Sequence, residues 1–309
     1  MKKIGIVGSG SWALALSKII YCEKLIIKTR TNKNVEKFKN KDIAITKEFK
    51  KLESVDCIFL AIPSQALREN LVEIKKINLN KNTIFVICSK GVEKKTNCLM
   101  SEVLKKIISN PYVILSGPNF SFEVIKGLPT ASVLASEKPS FSKKVSKVFK
   151  QDKFRTYFNN DVIGTQVGGA MKNVIAIACG LIRGKGLGAN AIASVLSRGL
   201  SEIVELGLSM GAKKKTFYGL SGLGDLALTC SSLRSRNTNF GYVLGKKKKF
   251  EKKSKILAEG FESCQSICSL GIKYRVELPI CNSVRKVLQG ENVEKVMGEL
   301  LSRPLQFEK

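Results

Sequence analysis

The chain has 309 residues, 44% apolar and 25% charged, which fits a soluble globular protein with room for two cores. Histidine is absent, which excludes Ser-His and Cys-His nucleophiles and every histidine-based metal centre. The formal charge of +28 suits either a nucleic-acid or anionic-surface binder or a lysine-rich usage that solvates many faces; the lysines run along the whole chain without a nucleic-acid-binding motif, which favours the second.

Lys3 to Val7 is a short apolar run, followed at once by Gly8-Ser9-Gly10-Ser11-Trp12-Ala13. Helical spacing then covers Leu14 to Tyr21. Strand, glycine turn and helix in this order are the context of a dinucleotide fingerprint. Gly8 permits the tight turn, and Gly10 lets backbone N–H groups approach a pyrophosphate. Ala13 takes the place of the third glycine. A second strand, Lys24 to Lys28, ends in Thr29-Arg30-Thr31. NAD enzymes place an acid there to hold the ribose 2′-hydroxyl, whereas this chain has Arg30 and no acid before Glu36. A guanidinium suits a 2′-phosphate, so NADP(H) is expected to be preferred over NAD(H). The plain alternative is an arginine that only stacks on adenine.

Strand-like runs at Asp56–Ile62, Thr83–Cys88 and Tyr112–Leu115 alternate with helix-like stretches at Gln65–Ile77 and Thr96–Ile108. Such alternation gives a doubly wound, mostly parallel sheet, whose ligands sit at the carboxyl ends of its strands. Those ends carry Pro63-Ser64-Gln65, Ser89-Lys90-Gly91 and Ser116-Gly117-Pro118-Asn119-Phe120. Lys90 there would bind an anionic substrate, or be an ordinary surface lysine. Ala131–Ala135 and Phe154–Phe158, flanking a helix at Ser140–Phe149, close a Rossmann-like domain of residues 1–160.

Residues 161–309 show no convincing strand and read as an all-α domain. Val162 to Ile182 has the length of a buried helix, with Gln166, Lys172 and Asn173 as its strongly polar groups. A lysine there needs a partner, a wet cavity or a lowered pKa, and such lysines serve as acids and bases; the alternative is a head that reaches water along its own stem. The stretch could span a bilayer by length, but its lysine and early glycines argue for a protein core, so no membrane segment is expected. A glycine-rich connection, Gly184–Gly188, leads to a helix at Asn190–Met210 with Arg198 and Glu202 four apart. Asp225 in Gly222-Leu223-Gly224-Asp225 is near a helix start, where it would cap or act on charge. Ser235-Arg236-Asn237 offers a hydroxyl, a fork and an amide to a phosphate, or is a surface turn. The one dense basic run is Lys246–Lys255, and helices are expected through Ile256–Leu301. Nine cysteines without a C-x-x-C pair suggest a reducing cytosol, and because the chain goes directly into a strand no signal peptide is expected.

Taken together, GSGSWA, IPSQ, SKG, SGPNF, GLPTA, GGAMKN, GLGANA, SRG, GLGDL and SRN resemble the bacterial NAD(P)-dependent glycerol-3-phosphate dehydrogenases in order and spacing. The resemblance implies a cytoplasmic homodimer that reduces dihydroxyacetone phosphate to sn-glycerol 3-phosphate for phospholipid synthesis. It implies Lys172 as proton donor and acceptor, with Asp225 and Lys90 beside it in catalysis. Substrate contacts would be Lys90, Gly117, Asn119, Lys172, Asp225, Ser235, Arg236 and Asn237. Cofactor contacts would be Gly8, Gly10, Ser11, Trp12, Arg30, Lys90, Ser121, Arg236 and Glu259. The chain departs from the family pattern at Asn119, where threonine is usual, at Ser121, where alanine is common, and at Ala13. Two rivals stand beside this reading: another Rossmann-type reductase acting on a small oxo acid, and a non-catalytic dinucleotide sensor.

Overall fold

The computed structural model describes residues 1–31, 35–38, 43–246 and 258–304. The chain divides into two compact units, one of residues 1–90 and 98–165, the other of 91–97 and 166–309.

The first unit is built on one sheet of eight strands. These are β1 (Lys3–Val7), β2 (Lys24–Lys28), β3 (Ile43–Thr46), β4 (Cys57–Leu60), β5 (Ile84–Ile87), β6 (Tyr112–Ser116), β7 (Thr130–Ala135) and β8 (Phe154–Asn159). Their order is β3-β2-β1-β4-β5-β6-β7-β8, parallel throughout except where β6 meets β7. The central strands are apolar at nearly every position because helices cover both faces, so they lack the alternation of a half-exposed sheet. The helices of this unit are α1 (Ser11–Ile19), α2 (Leu67–Lys75), α3 (Met100–Lys105), α4 (Ser121–Ile125) and α5 (Pro139–Ser146). Ile4, Leu16, Ile27, Phe59, Val86 and Phe154 are among the side chains that close its core.

Two sequence expectations need correction here. Strand β3 was not foreseen, because Ile43-Ala44-Ile45-Thr46 is a four-residue run at the sheet edge with none of its residues buried. The helix expected over Thr96–Ile108 shrinks to Met100–Lys105. Residues 91–97 belong instead to the second unit, where the Val92 N–H donates to Ser263 Oγ and Ser266 Oγ donates to the Glu93 carbonyl.

Among its described residues the second unit is helical. Its helices are α6 (Val162–Gly184), α7 (Gly188–Ser209), α8 (Lys214–Phe217), α9 (Asp225–Ser231), α10 (Arg236–Lys246), α11 (Glu259–Tyr274), α12 (Pro279–Leu288) and α13 (Val293–Leu301). The link between α6 and α7 is shorter than the glycine pattern suggests, since Gly184 and Gly188 lie inside the helices. Helix α6 is long and apolar enough to cross a membrane, but 94% of its most apolar window is buried in protein. Of the basic run Lys246–Lys255, all but Lys246 lies outside the described residues.

Helices α6 and α10 meet backbone to backbone. A Cβ on Gly180 would sit 2.2 Å from the Thr238 carbonyl, and one on Gly241 would sit 2.1 Å from the Ile177 carbonyl. Gly184 and Gly245 repeat the contact one turn along. This glycine seam fixes the start of α10, with Arg236 and Asn237, against the helix that carries Lys172.

Glu202 of α7, noted in the sequence only for its spacing from Arg198, has a structural task. Its carboxylate is 4% exposed and accepts the N–H groups of Ile280 (2.5 Å) and Cys281 (3.2 Å) at the start of α12. Burial pushes its pKa up from the ordinary 4.5 to about 7, with the two backbone bonds opposing. The native state therefore binds a proton more tightly than the unfolded chain. That contribution is complete below pH 4.5 and is lost as the pH rises through about 7. Urea unfolding at pH 5 and pH 8 should show wild type losing up to about 3 kcal/mol more over this interval than Glu202→Gln. Parallel losses would remove Glu202 as the cause.

Candidate active site

In the first unit the glycine turn is dictated by geometry. Gly8 has φ +122°, and a Cβ there would lie 2.3 Å from the Ala61 carbonyl oxygen. Gly10 caps α1 with nothing within 4 Å of its would-be Cβ. Ser11, Trp12 and Ala13 form the first turn of α1, whose N–H groups lack intrahelical acceptors and attract anions. Ser11 is exposed, whereas Trp12 is half-buried with its ring 6.5 Å from that of Phe154. Thr29 Oγ1 donates to Ser9 Oγ at 2.9 Å and so ties the turn to the end of β2, beyond which Arg30 is exposed.

At the carboxyl ends of β5 and β6 the expected residues come together. Lys90 Nζ donates to the Gly117 carbonyl at 2.9 Å and to Asn119 Oδ1 at 3.2 Å. Asn119 Nδ2 donates in turn to Ser132 Oγ at 2.8 Å. Asn119, the departure from the family threonine, thus orients the lysine. Gly117 has φ +134°, which favours glycine. Ser121 opens α4 nearby in sequence and is half-buried.

In the second unit Lys172 is 7% exposed and has the partner its burial demands. Its Nζ donates to Asp225 Oδ1 at 2.7 Å and to Thr229 Oγ1 at 2.7 Å. Asp225 and Thr229 are four apart on α9 and share its face. Asp225 is 1% exposed and lies in the first turn of α9, after its N-cap Gly224, where it forms the ion pair with Lys172. A π turn over Leu220–Gly224 delivers the chain into α9 at this point.

Arg236 and Asn237 open an eleven-residue helix that Ser235 directly precedes, so the three do not form a surface turn. Ser235 Oγ accepts the Thr238 N–H at 3.3 Å, and Arg236 is exposed. Asn237 is buried: its Nδ2 donates to Asn173 Oδ1 at 2.8 Å, and its Oδ1 accepts the Gly260 N–H at 2.9 Å. One amide reaches from α10 both to the neighbour of Lys172 and to the first turn of α11, which Glu259 opens. Thr229 and Asn173 are the residues given no chemical role from sequence. Thr229 carried a usable signal, standing four residues after Asp225 on a helix start.

A glycine-turn parallel sheet joined to a helical unit with a buried lysine defines a Rossmann-type dinucleotide-binding protein with a separate all-α unit. Residues 3–142 match the N-terminal part, and residues 161–298 the C-terminal part, of NAD-dependent glycerol-3-phosphate dehydrogenase. The chain belongs to that family. It is 37% identical to glycerol-3-phosphate dehydrogenase [NAD(P)+] of Zymomonas mobilis, over 99% of this chain and 94% of that one. Identity to the enzyme of the same name from Fusobacterium nucleatum is 36%, over 100% and 99% of the two chains. Among solved structures, glycerol-3-phosphate dehydrogenase from Coxiella burnetii superimposes with a TM-score of 0.90 at 31% identity, covering 98% of this chain and 99% of that chain.

The ion pair makes a stability prediction independent of activity. Asp225→Leu leaves a buried ammonium without its carboxylate and should cost about 3–5 kcal/mol in urea unfolding. Adding Lys172→Met should recover most of that loss. A double variant no more stable than Asp225→Leu would show that the two charges do not depend on each other.

Proposed function

We propose that this chain reduces dihydroxyacetone phosphate to sn-glycerol 3-phosphate, reversibly, with NADPH preferred and NADH accepted, and so supplies a glycerophospholipid precursor. The observation that carries the proposal is the buried Lys172 ammonium, held by Asp225 and Thr229 in a chain of this family. The match over both parts of the chain disfavours an oxo-acid reductase and a non-catalytic sensor.

The first unit fits a dinucleotide. The Gly8 turn admits no side chain, the space over Gly10 is open, and the first turn of α1 presents N–H groups to a pyrophosphate. Gly8, Gly10, Ser11, Trp12 and Arg30 would hold it, with Lys90, Ser121, Arg236 and Glu259 as further contacts. When bound, the reduced dinucleotide supplies the hydride.

The chain's own residues supply positioning, charge and a proton. Lys172 Nζ donates a hydrogen bond to the ketone oxygen of the substrate and passes it a proton as negative charge grows there. Asp225 keeps the ammonium charged and aimed, and Thr229 fixes it from the same helix face. Lys90, oriented by Gly117 and Asn119, adds a second cation for the substrate. Arg236 and the Ser235 hydroxyl take the phosphate at the start of α10, where the helix dipole also favours it. Asn237 has one amide N–H and its oxygen committed to Asn173 and Gly260, leaving its second N–H for the phosphate. Phosphate binding would then help place the carbonyl against Lys172.

Residues 1–160 are proposed as the cofactor domain and 161–309 as the substrate and catalytic domain. A cytoplasmic homodimer belongs to the same proposal; nine free cysteines fit a reducing compartment. The overall positive charge would draw the anionic substrate.

Dihydroxyacetone phosphate should drive oxidation of NADPH faster than of NADH, followed by the loss of reduced-nicotinamide absorbance. Folded protein that oxidises neither would sink the proposal at its substrate. Lys172→Ala should lower kcat by about 100-fold or more while leaving NADPH affinity near wild type. Near-normal turnover would remove the lysine from its role. Arg30→Ala should raise the KM for NADPH by about tenfold and change that for NADH little. An equal rise for both would assign Arg30 to the adenine instead of the 2′-phosphate.

A further inference from the structure

A buried charge stands in the apolar strands of the first unit, and the reduction gives it no task. The buried positions of β1, β2 and β4 are apolar or glycine except for Lys28, the last residue of β2. Lys28 is 6% exposed. Strand register sets it opposite Val7, and the Gly8 N–H donates to its carbonyl at 2.9 Å. It therefore lies beside the glycine turn, two residues before Arg30.

The side chain runs toward the carboxyl edge of the sheet. Lys28 is paired on its other side with Thr46, the last residue of β3. Phe49 follows beyond that strand end, and Lys28 Nζ lies 3.6 Å from the centre of its ring. A ring face attracts an ammonium without taking up its N–H groups in strong hydrogen bonds. Among the described residues those three donors have no acceptor, and no carboxylate lies within ion-pairing distance. Glu73 of α2, whose charge acts on Lys28 at longer range, is paired instead with Lys76 at 2.7 Å. Burial and the like charge of Arg30 push the lysine's pKa down, with Glu73 and Glu69 opposing. A buried cation in this state is short of an anion.

We propose that Lys28 is a second cation for the 2′-phosphate of NADPH and, with Arg30, sets the preference for that cofactor; this rests on the NADPH preference proposed above. A phosphate monoester carries about two negative charges near pH 7, and one guanidinium balances only half of them. An ammonium is a point charge with freely turning donors, which suits a phosphate oxygen approaching from any side. Phe49 holds the head in place and leaves those donors free. With the phosphate present, Lys28 and Arg30 no longer oppose each other, because both face one dianion. NADH offers only a ribose hydroxyl there, which leaves both cations uncompensated.

The plain alternative is a lysine whose stem covers apolar surface while its head reaches water. That arrangement makes the charge irrelevant to any nucleotide. The two readings therefore separate on a single substitution. Lys28→Met keeps the length and apolar stem of the side chain and removes only its charge.

The test is calorimetric titration of the full chain with adenosine 2′,5′-bisphosphate and with adenosine 5′-monophosphate, which differ only in the 2′-phosphate. Wild type should bind the bisphosphate more tightly. Lys28→Met should weaken the bisphosphate about tenfold and leave the monophosphate within about twofold. Lys28→Arg keeps the charge and should hold the discrimination within about threefold of wild type. Lys28→Met combined with Arg30→Ala should bind the two nucleotides alike. Equal weakening of both nucleotides by Lys28→Met would overturn the proposal and assign the lysine to the turn itself. So would unchanged binding of the bisphosphate, or a loss in Lys28→Arg as large as in Lys28→Met, which would make packing and not charge the cause. A wild type that binds both nucleotides alike would remove the NADPH preference first, and this proposal with it. Binding is read without substrate, so the result stands apart from whether dihydroxyacetone phosphate is reduced.

Discussion

An ammonium can remain charged inside an apolar helix only where other groups replace the water it loses. Lys172 obtains that replacement from a carboxylate and a hydroxyl on one face of α9, both at 2.7 Å. Neither charge is tolerable there alone, because desolvating a single ion costs several kcal/mol. The placement of α9 against α6 is therefore bound to the protonation of one side chain. The rest of the second unit holds that placement. Thr238 Oγ1 donates to the Thr229 carbonyl at 2.6 Å, so α10 braces α9 from the other side. The glycine seam between α6 and α10 then fixes α10 against the lysine helix itself. Three helices close a loop of contacts around one charge, which is how a flexible side chain becomes a positioned one.

The same economy appears in the first unit, with backbone in place of side chains. Gly8 and Gly117 are both at positive φ and both approach neighbouring backbone closely. Each lies just beyond a strand end, where a doubly wound sheet leaves its crevice. A side chain at Gly8 would collide with the Ala61 carbonyl, so the turn can be built from little else. Asn119 shows how a departure from a family pattern is accommodated. Its amide accepts from Lys90 and donates to Ser132, so it fills both sides of a hydrogen-bond chain. A threonine hydroxyl at this position would do so with a single oxygen.

Much of this was legible in the sequence for reasons that are local. The bounds of β1 and β2 follow from apolar runs cut off by glycine, lysine and arginine. The length of α6 follows from an apolar stretch too long for a strand. Strand β3 was illegible because an edge strand with exposed residues has no burial pattern to display. The function of Asp225 was only half legible. Its place at a helix start is local, but its partner is 53 residues away, and a pairing at that distance is a property of the packed helices. Asn237 gave a similar half-answer. Its residue type suggested an anion contact, while two of its bonds turn out to tie helices together.

Helices α6 and α9 are held together by more than the lysine's charge. Arg183 Nη2 donates to the Ser231 carbonyl at 3.4 Å, so the far ends of the two helices meet as well. Rigid interiors do not deform continuously; they pass strain on to whatever they contact. The burial of Lys172 therefore makes the placement of its ammonium depend on that of α9. A looser site would admit the water that Asp225 and Thr229 replace.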